Sequence, residues 1–208
     1  MADEIHALNK DEIKDIDYET YFGEMDLTDE EKQDRIELAK KFENIFLMLF
    51  ATISASKQTE VETWTREIKI RYESLATQFM KAKQAPSYIV TYSEYISKEI
   101  VNATVKNSDE EYFTSELRAK NISANEANVI GNYREQIKML KLGYKTKMWV
   151  TMKDSHVRKT HMAVDNKKIS IFDTFKVGNS EMMFPKDHSL GAATKEIAGC
   201  RCTLRYFK

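Results

Sequence analysis

The sequence predicts an α+β fold, with a helical N-terminal half followed by a small mixed α+β C-terminal domain. Three observations predict it. Apolar residues recur at three- and four-residue spacing as far as about residue 142. Hydroxyl-x-x-Glu signatures stand where such helices would begin. After Gly143 the spacing shortens to alternation, the period of a strand. The expected division is an acidic arm over 1–27, a helical region over 28–120 and the C-terminal domain over 121–208.

Residues 1–27 are acidic and weakly periodic, with Tyr18, Tyr21 and Phe22 among the carboxylates. They read as a mobile arm or a short helix ending near Gly23. Thr28-x-x-Glu31, Thr59-x-x-Glu62, Ser108-x-x-Glu111 and Ser123-x-x-Glu126 read as capping boxes. In each, the hydroxyl takes an orphan N–H and the carboxylate reaches back to the cap. A first helix over about 29–55 carries Ile36, Ala39, Phe42, Ile45, Phe46, Leu49, Phe50 and Ile53 on one face. A second, about 60–83, shows Trp64, Ile68, Tyr72, Leu75 and Phe79. A third follows Pro86, whose missing N–H costs nothing at a first turn, and runs to about 105. Two shorter helices fit 108–120 and 124–142, and Gly143 suits the left-handed position past a helix end. Beyond it, Met148, Val150 and Met152 alternate as a strand, and 155–164 fits one or two helical turns. Ile169 and Ile171 suggest a further strand, Phe175–Val177 begins an irregular stretch, and 190–198 suits a short helix closed by Gly199. Thr203, Leu204 and Tyr206 make a last strand.

Composition narrows the class. The 208 residues are 42% hydrophobic and 31% charged, which suits a soluble globular protein. The longest apolar run, near Ile45–Ile53, is too short for a bilayer, so no membrane contact is expected. Asp3 and Glu4 do not suit a secretory or transit peptide. Net charge is −1, yet residues 1–37 hold 14 Asp/Glu against 4 Lys/Arg, and residues 133–208 hold 16 Lys/Arg against 7 Asp/Glu. Two readings of this polarity stay open: a polyanion partner for the basic end, or a solvated face with an internal acid–base contact.

The candidate chemistry gathers late in the chain. His161, His188, Cys200 and Cys202 have the side chains of a zinc set. Cys-x-Cys is not the usual knuckle spacing, so two buried thiols in a strand, with His161 satisfied by a neighbouring carboxylate, is the preferred reading. Cys200 with His161 also has the residue types of a nucleophile and its base, but nothing in the spacing fixes their geometry. Asp154, Arg158 and Asp187 read as a structural cluster, with Asp154 capping the turn at His156–Arg158 and Arg158 reaching a carboxylate such as Asp187. Arg201 should project opposite to the two cysteines. No Gly-rich phosphate loop, helix-turn-helix signature or H-E-x-x-H motif is present.

One spaced pattern names a family. Trp149-x-Thr151-x-x-Asp154-x-x-Val157-Arg158-x-x-His161 is followed by Phe184-Pro185-x-Asp187 and Cys200-Arg201-Cys202. This order resembles the phage Mu F-like head morphogenesis family, over roughly residues 120–206. The resemblance implies a minor head protein of a tailed bacteriophage or prophage, with 121–208 as the head morphogenesis domain. It implies a virion component, in the capsid interior or at the portal vertex, assembled in the host cytoplasm. Expected partners are the portal protein, procapsid components and packaged double-stranded DNA, with a role in DNA ejection. It implies no enzyme and no cofactor. Trp149, Asp154, Arg158, His161, Pro185, Asp187, Cys200, Arg201 and Cys202 would be its structural motif. Two alternatives stay open: a cysteine- or zinc-dependent hydrolase using His161 and Cys200, or a free-standing nucleic-acid-binding protein. The chain departs from the family in having Gly199 where many members have Asn, and Asn166 where many have Gly. Asn tolerates a left-handed turn, so that turn should survive.

Overall fold

A computed structural model describes residues 15–56 and 60–208. Its helices are α1 (Tyr18–Gly23), α2 (Asp29–Ala55), α3 (Val61–Phe79), α4 (Ser87–Lys106) and α5 (Glu116–Lys141), with a 3-10 turn at Glu111–Thr114. Then follow β1 (Thr146–Val150), α6 (Lys159–Met162), β2 (Lys168–Ser170), β3 (Phe175–Val177), β4 (Ser180–Met182), α7 (Thr194–Ile197) and β5 (Thr203–Phe207). The fold is α+β, with helices in the N-terminal half and a small antiparallel sheet near the C-terminus.

One of the start signals forms as a complete capping box. At α2 the Thr28 N–H donates to Glu31 Oε2 at 2.8 Å and the Glu31 N–H donates to Thr28 Oγ1 at 3.3 Å, a complete capping box. Thr59 lies outside the described residues, as do 1–14 of the acidic arm. No side chain caps the 3-10 turn after Ser108. Ser123 and Glu126 are buried inside α5, so the expected break before 124 is absent. Glu126 instead accepts a 2.9 Å hydrogen bond from the Tyr72 hydroxyl. The actual cap of α5 is Ser115, whose Oγ accepts from the Arg118 N–H at 3.2 Å. At the far end, the Gly143 N–H reaches Leu140 O and the Tyr144 N–H reaches Met139 O, with Gly143 at φ +75°. This is a Schellman closure, and it needs the left-handed glycine that the sequence supplies.

The chain forms two compact units. The first holds the described residues 15–18 with 36–127. Its core is the apolar stripe of α2 (Phe42, Phe46, Leu49, Phe50) with Ile68, Tyr72 and Ala76 of α3 and Ile89, Ile96 and Ile100 of α4. The Tyr72 ring meets Phe42 at 4.8 Å and Tyr92 at 6.0 Å. Burial and the neighbouring Glu126 hold the Tyr72 phenol far above its ordinary range, so it remains a donor.

The second unit holds residues 19–35 with 128–208. Its sheet runs β2-β1-β5, antiparallel throughout, with Trp149 opposite Leu204 and Lys147 opposite both Ile169 and Tyr206. The buried face of β1 is Lys147 and Trp149, whereas Met148 of the alternating set Met148, Val150, Met152 is only half-buried and Met152 lies past the strand. The lysine is tolerated inside because its Nζ donates to Met183 O at 2.6 Å. Residues 175–182 form a β3–β4 hairpin, not an irregular stretch. Its two-residue turn, Gly178-Asn179 with Gly178 at φ +60°, is the signal that the sequence reading passed over. Asn166 sits at φ +59°, so the left-handed turn does survive without glycine.

Gly131 of α5 marks the tightest approach in this unit. A Cβ there would lie 2.4 Å from Arg35 Nε, and the Arg35 side chain is fully buried. Gly131→Ala should therefore lower unfolding free energy by about 1–3 kcal/mol, measured by urea denaturation. An unchanged midpoint would mean that the guanidinium can move aside.

Candidate functional site

The second unit brings three of the sequence candidates together. Helix α6, a single turn, carries His161 inward against the edge of Trp149, with ring centroids 5.7 Å apart. After α7, Gly199 at φ +61° turns the chain so that Cys200 and Cys202 face the same ring. His161 Nδ1 lies 3.4 Å from Cys202 Sγ and 3.6 Å from Cys200 Sγ. All three side chains are buried, and both cysteines are free thiols. Among the described residues, these three can each offer one ligand atom to a metal ion, the atoms lying within 4.8 Å of one another. A cavity of about 40 Å³ adjoins them, bordered also by Met152, His156 and Gly199.

The other face of the imidazole meets Glu196, a residue the sequence reading missed. His161 Nε2 is 3.3 Å from Glu196 Oε2, but Nε2 has no formed hydrogen bond. Glu196 is itself buried and accepts from Thr160 Oγ1 at 2.7 Å. His161 was expected to be satisfied by a carboxylate beside two thiols in a strand. Glu196 does stand beside it, thirty-five positions away in sequence, but makes no hydrogen bond to Nε2, and both cysteines precede the strand that begins at Thr203. The two thiols diverge in acidity. The hydrogen bond from Cys202 holds the Cys200 thiol well below its ordinary range against the opposing effect of burial, with His161 adding in the same direction. That same bond, with burial, pushes Cys202 up.

The remaining motif residues build the frame. Asp154 caps its turn as expected, accepting from the His156 N–H at 3.0 Å. It also pairs with Arg201, which reaches Glu24 at 3.1 Å and borders the same cavity as the thiols, not the opposite face of a strand. Arg158 does not pair with Asp187. Its guanidinium hydrogen-bonds Ala198 O, just ahead of the cysteine turn. Asp187 is turned onto its own loop, accepting from the Met183 N–H at 2.9 Å and from the Ser189 N–H and hydroxyl at 2.9 and 2.6 Å. A carboxylate holding three local donors has no need of an arginine. His188 is half-buried and stands outside the Cys–His group.

Asn128, Asn132 and Gln136 were also missed. They recur every four residues on α5, and their amides donate to Cys200 O (3.2 Å), to Pro185 O (3.1 Å) and Cys202 O (3.4 Å), and to Ile171 O (3.1 Å). A polar stripe at helical spacing ordinarily reads as a solvated face, which is why it gave no signal.

A family model described as Phage Mu protein F like protein matches residues 60–205. The chain belongs to that family. Membership points to a phage head morphogenesis protein. No curated protein and no solved structure matches the chain. The Mu F-like match begins well upstream of the motif-bearing residues, taking in α3 and α4 as well. No helix among the described residues is long and apolar enough to cross a membrane.

Lys147 gives this unit a readable pH dependence. Burial pushes its amine from 10.5 down to about 8, with Asp187 and Asp173 pulling weakly the other way. Between these values the unfolded chain binds the proton and the folded chain does not. The Lys147 contribution to stability therefore rises with pH from about 8 to 10.5. Relative to wild type, Lys147→Met should remove that rise from the melting temperature measured between pH 8 and pH 10. Parallel curves for the two proteins would show that the folded amine keeps its proton.

Proposed function

We propose that this chain is a minor head protein of a tailed bacteriophage or prophage, incorporated during procapsid assembly through contact with the portal. The family match over residues 60–205 carries this reading. The site chemistry is consistent with a structural part: the thiols are buried, and the motif residues spend their hydrogen bonds on the loops around them. In this reading the Cys–His group is a fastening of the second unit, and the amphipathic helices of the first serve protein contacts.

Packaged DNA is the second partner in this proposal, but with less charge than the sequence suggested. Residues 19–35 bring seven Asp/Glu and two Lys/Arg into the basic unit, lowering its net charge from +9 to +4. Asp26 forms a bidentate pair with Arg205 at 2.6 and 2.7 Å, Asp34 holds Arg134 at 2.6 Å, and Glu24 holds Arg201. The internal acid–base contact was one of the two readings left open, and it accounts for part of the polarity.

The deciding experiment is co-expression of the full chain with the coat and portal proteins of the phage that carries it. The chain should sediment with procapsids, and omission of portal should release it. Free chain beside portal-containing procapsids would overturn the assignment. For DNA, anisotropy with a random duplex should give a slope of log affinity against log salt of roughly −2 to −4. Asp26→Asn, which frees Arg205, should steepen it by about one. No binding at the lowest salt would remove DNA from the proposal and leave the portal contact standing.

A further inference from the structure

We propose that His161, Cys200 and Cys202 form a metal site for a zinc-class ion, with a fourth coordination position open to the adjoining cavity. The distances are those of ligands around one centre. Tetrahedral zinc, with Zn–S about 2.3 Å and Zn–N about 2.0 Å, sets sulfur and nitrogen about 3.5 Å apart. Here the two sulfurs stand 3.4 and 3.6 Å from the same nitrogen. That nitrogen carries either one proton or one lone pair, so it cannot hydrogen-bond both sulfurs well. A cation between the three atoms satisfies all of them at once.

The outer contacts fit the same assignment. A metal-bound imidazole orients its other N–H toward a carboxylate, and this second contact fixes ring and tautomer. His161 Nε2 lacks a formed hydrogen bond and faces the buried Glu196 at 3.3 Å, with Thr160 fixing that carboxylate from behind. Ligation through Nδ1 would place the proton on Nε2, opposite the carboxylate. The Cys202 N–H already donates to Cys200 Sγ at 3.4 Å, as suits a thiolate ligand. The cavity of about 40 Å³ next to the sulfurs has room for a water at the fourth position. Two sulfurs and an imidazole select zinc or another soft divalent ion over calcium or magnesium. Binding requires both sulfurs as thiolates, so any proton they carry would be released to solvent.

The site is independent of the head-protein assignment, and its test needs no phage. The full chain is purified under reducing conditions, stripped with a chelator, and titrated with Zn²⁺ and with Co²⁺ alone. One ion should bind per chain, and Co²⁺ should give thiolate-to-metal charge transfer with d–d bands of tetrahedral intensity. Glu196→Gln should weaken Zn²⁺ affinity about 10- to 100-fold while the metal-free protein remains folded. Cys202→Ser should abolish part of the charge transfer. If that variant does not fold, the wild-type intensity, which scales with the number of sulfur–cobalt bonds, decides alone. Absence of charge transfer in the folded wild type overturns the site, as does Zn²⁺ uptake unchanged in Cys202→Ser.

Discussion

A buried backbone carbonyl must find a donor, and the second unit is organised around that requirement. Its strands are short, so much of the chain between β4 and β5 has no ladder partner. Helix α5 supplies the missing donors from Asn128, Asn132 and Gln136, directed to the carbonyls of Cys200, Pro185, Cys202 and Ile171. The Phe184–Asp187 loop and the cysteine segment are thus fastened to one rigid rod. Arg158, bonded to Ala198 O, does the same from the other side. Losing a single amide would strand a carbonyl in a place water does not easily reach, at a cost of about 1–3 kcal/mol.

That fastening is what permits a thiol pair and an imidazole to meet inside. Each of these groups is costly to bury alone. Position is fixed by backbone: a left-handed Gly199, a one-turn helix carrying His161, and a strand whose Trp149 closes the cluster. The chemistry follows from the geometry, since the acidity of Cys200 depends on the donor held next to it.

Local signals in the sequence proved legible where local physics decides. Gly143 ends a helix and Asn166 takes a left-handed turn because no distant residue competes for those roles. The Thr28 box forms even though Glu31 also meets Glu135, whereas Ser123 and Glu126 carry the same signature and sit mid-helix, where Glu126 accepts from Tyr72 of another helix. The strand at 146–150 was found, but its inward residues were not, since a buried lysine is readable only once Met183 O is known to receive it. Of the site, His161, Cys200 and Cys202 were visible as residue types. Glu196 and the amide stripe were not, because their roles exist only in three dimensions.

The second unit is assembled from residues 19–35 and 128–208, with more than ninety residues of the other unit between them. Its central strand β1 takes one neighbour from β5, and Arg205 of that strand closes onto Asp26. On a ribosome, these contacts can form only after residue 207 has left the exit tunnel, while the uninterrupted stretch 36–127 has long been free to collapse. Asp26 and Glu24 therefore stay solvated, without their arginine partners, until the last strand is made. Loop closure over that distance makes assembly of the second unit's own core the late step of folding.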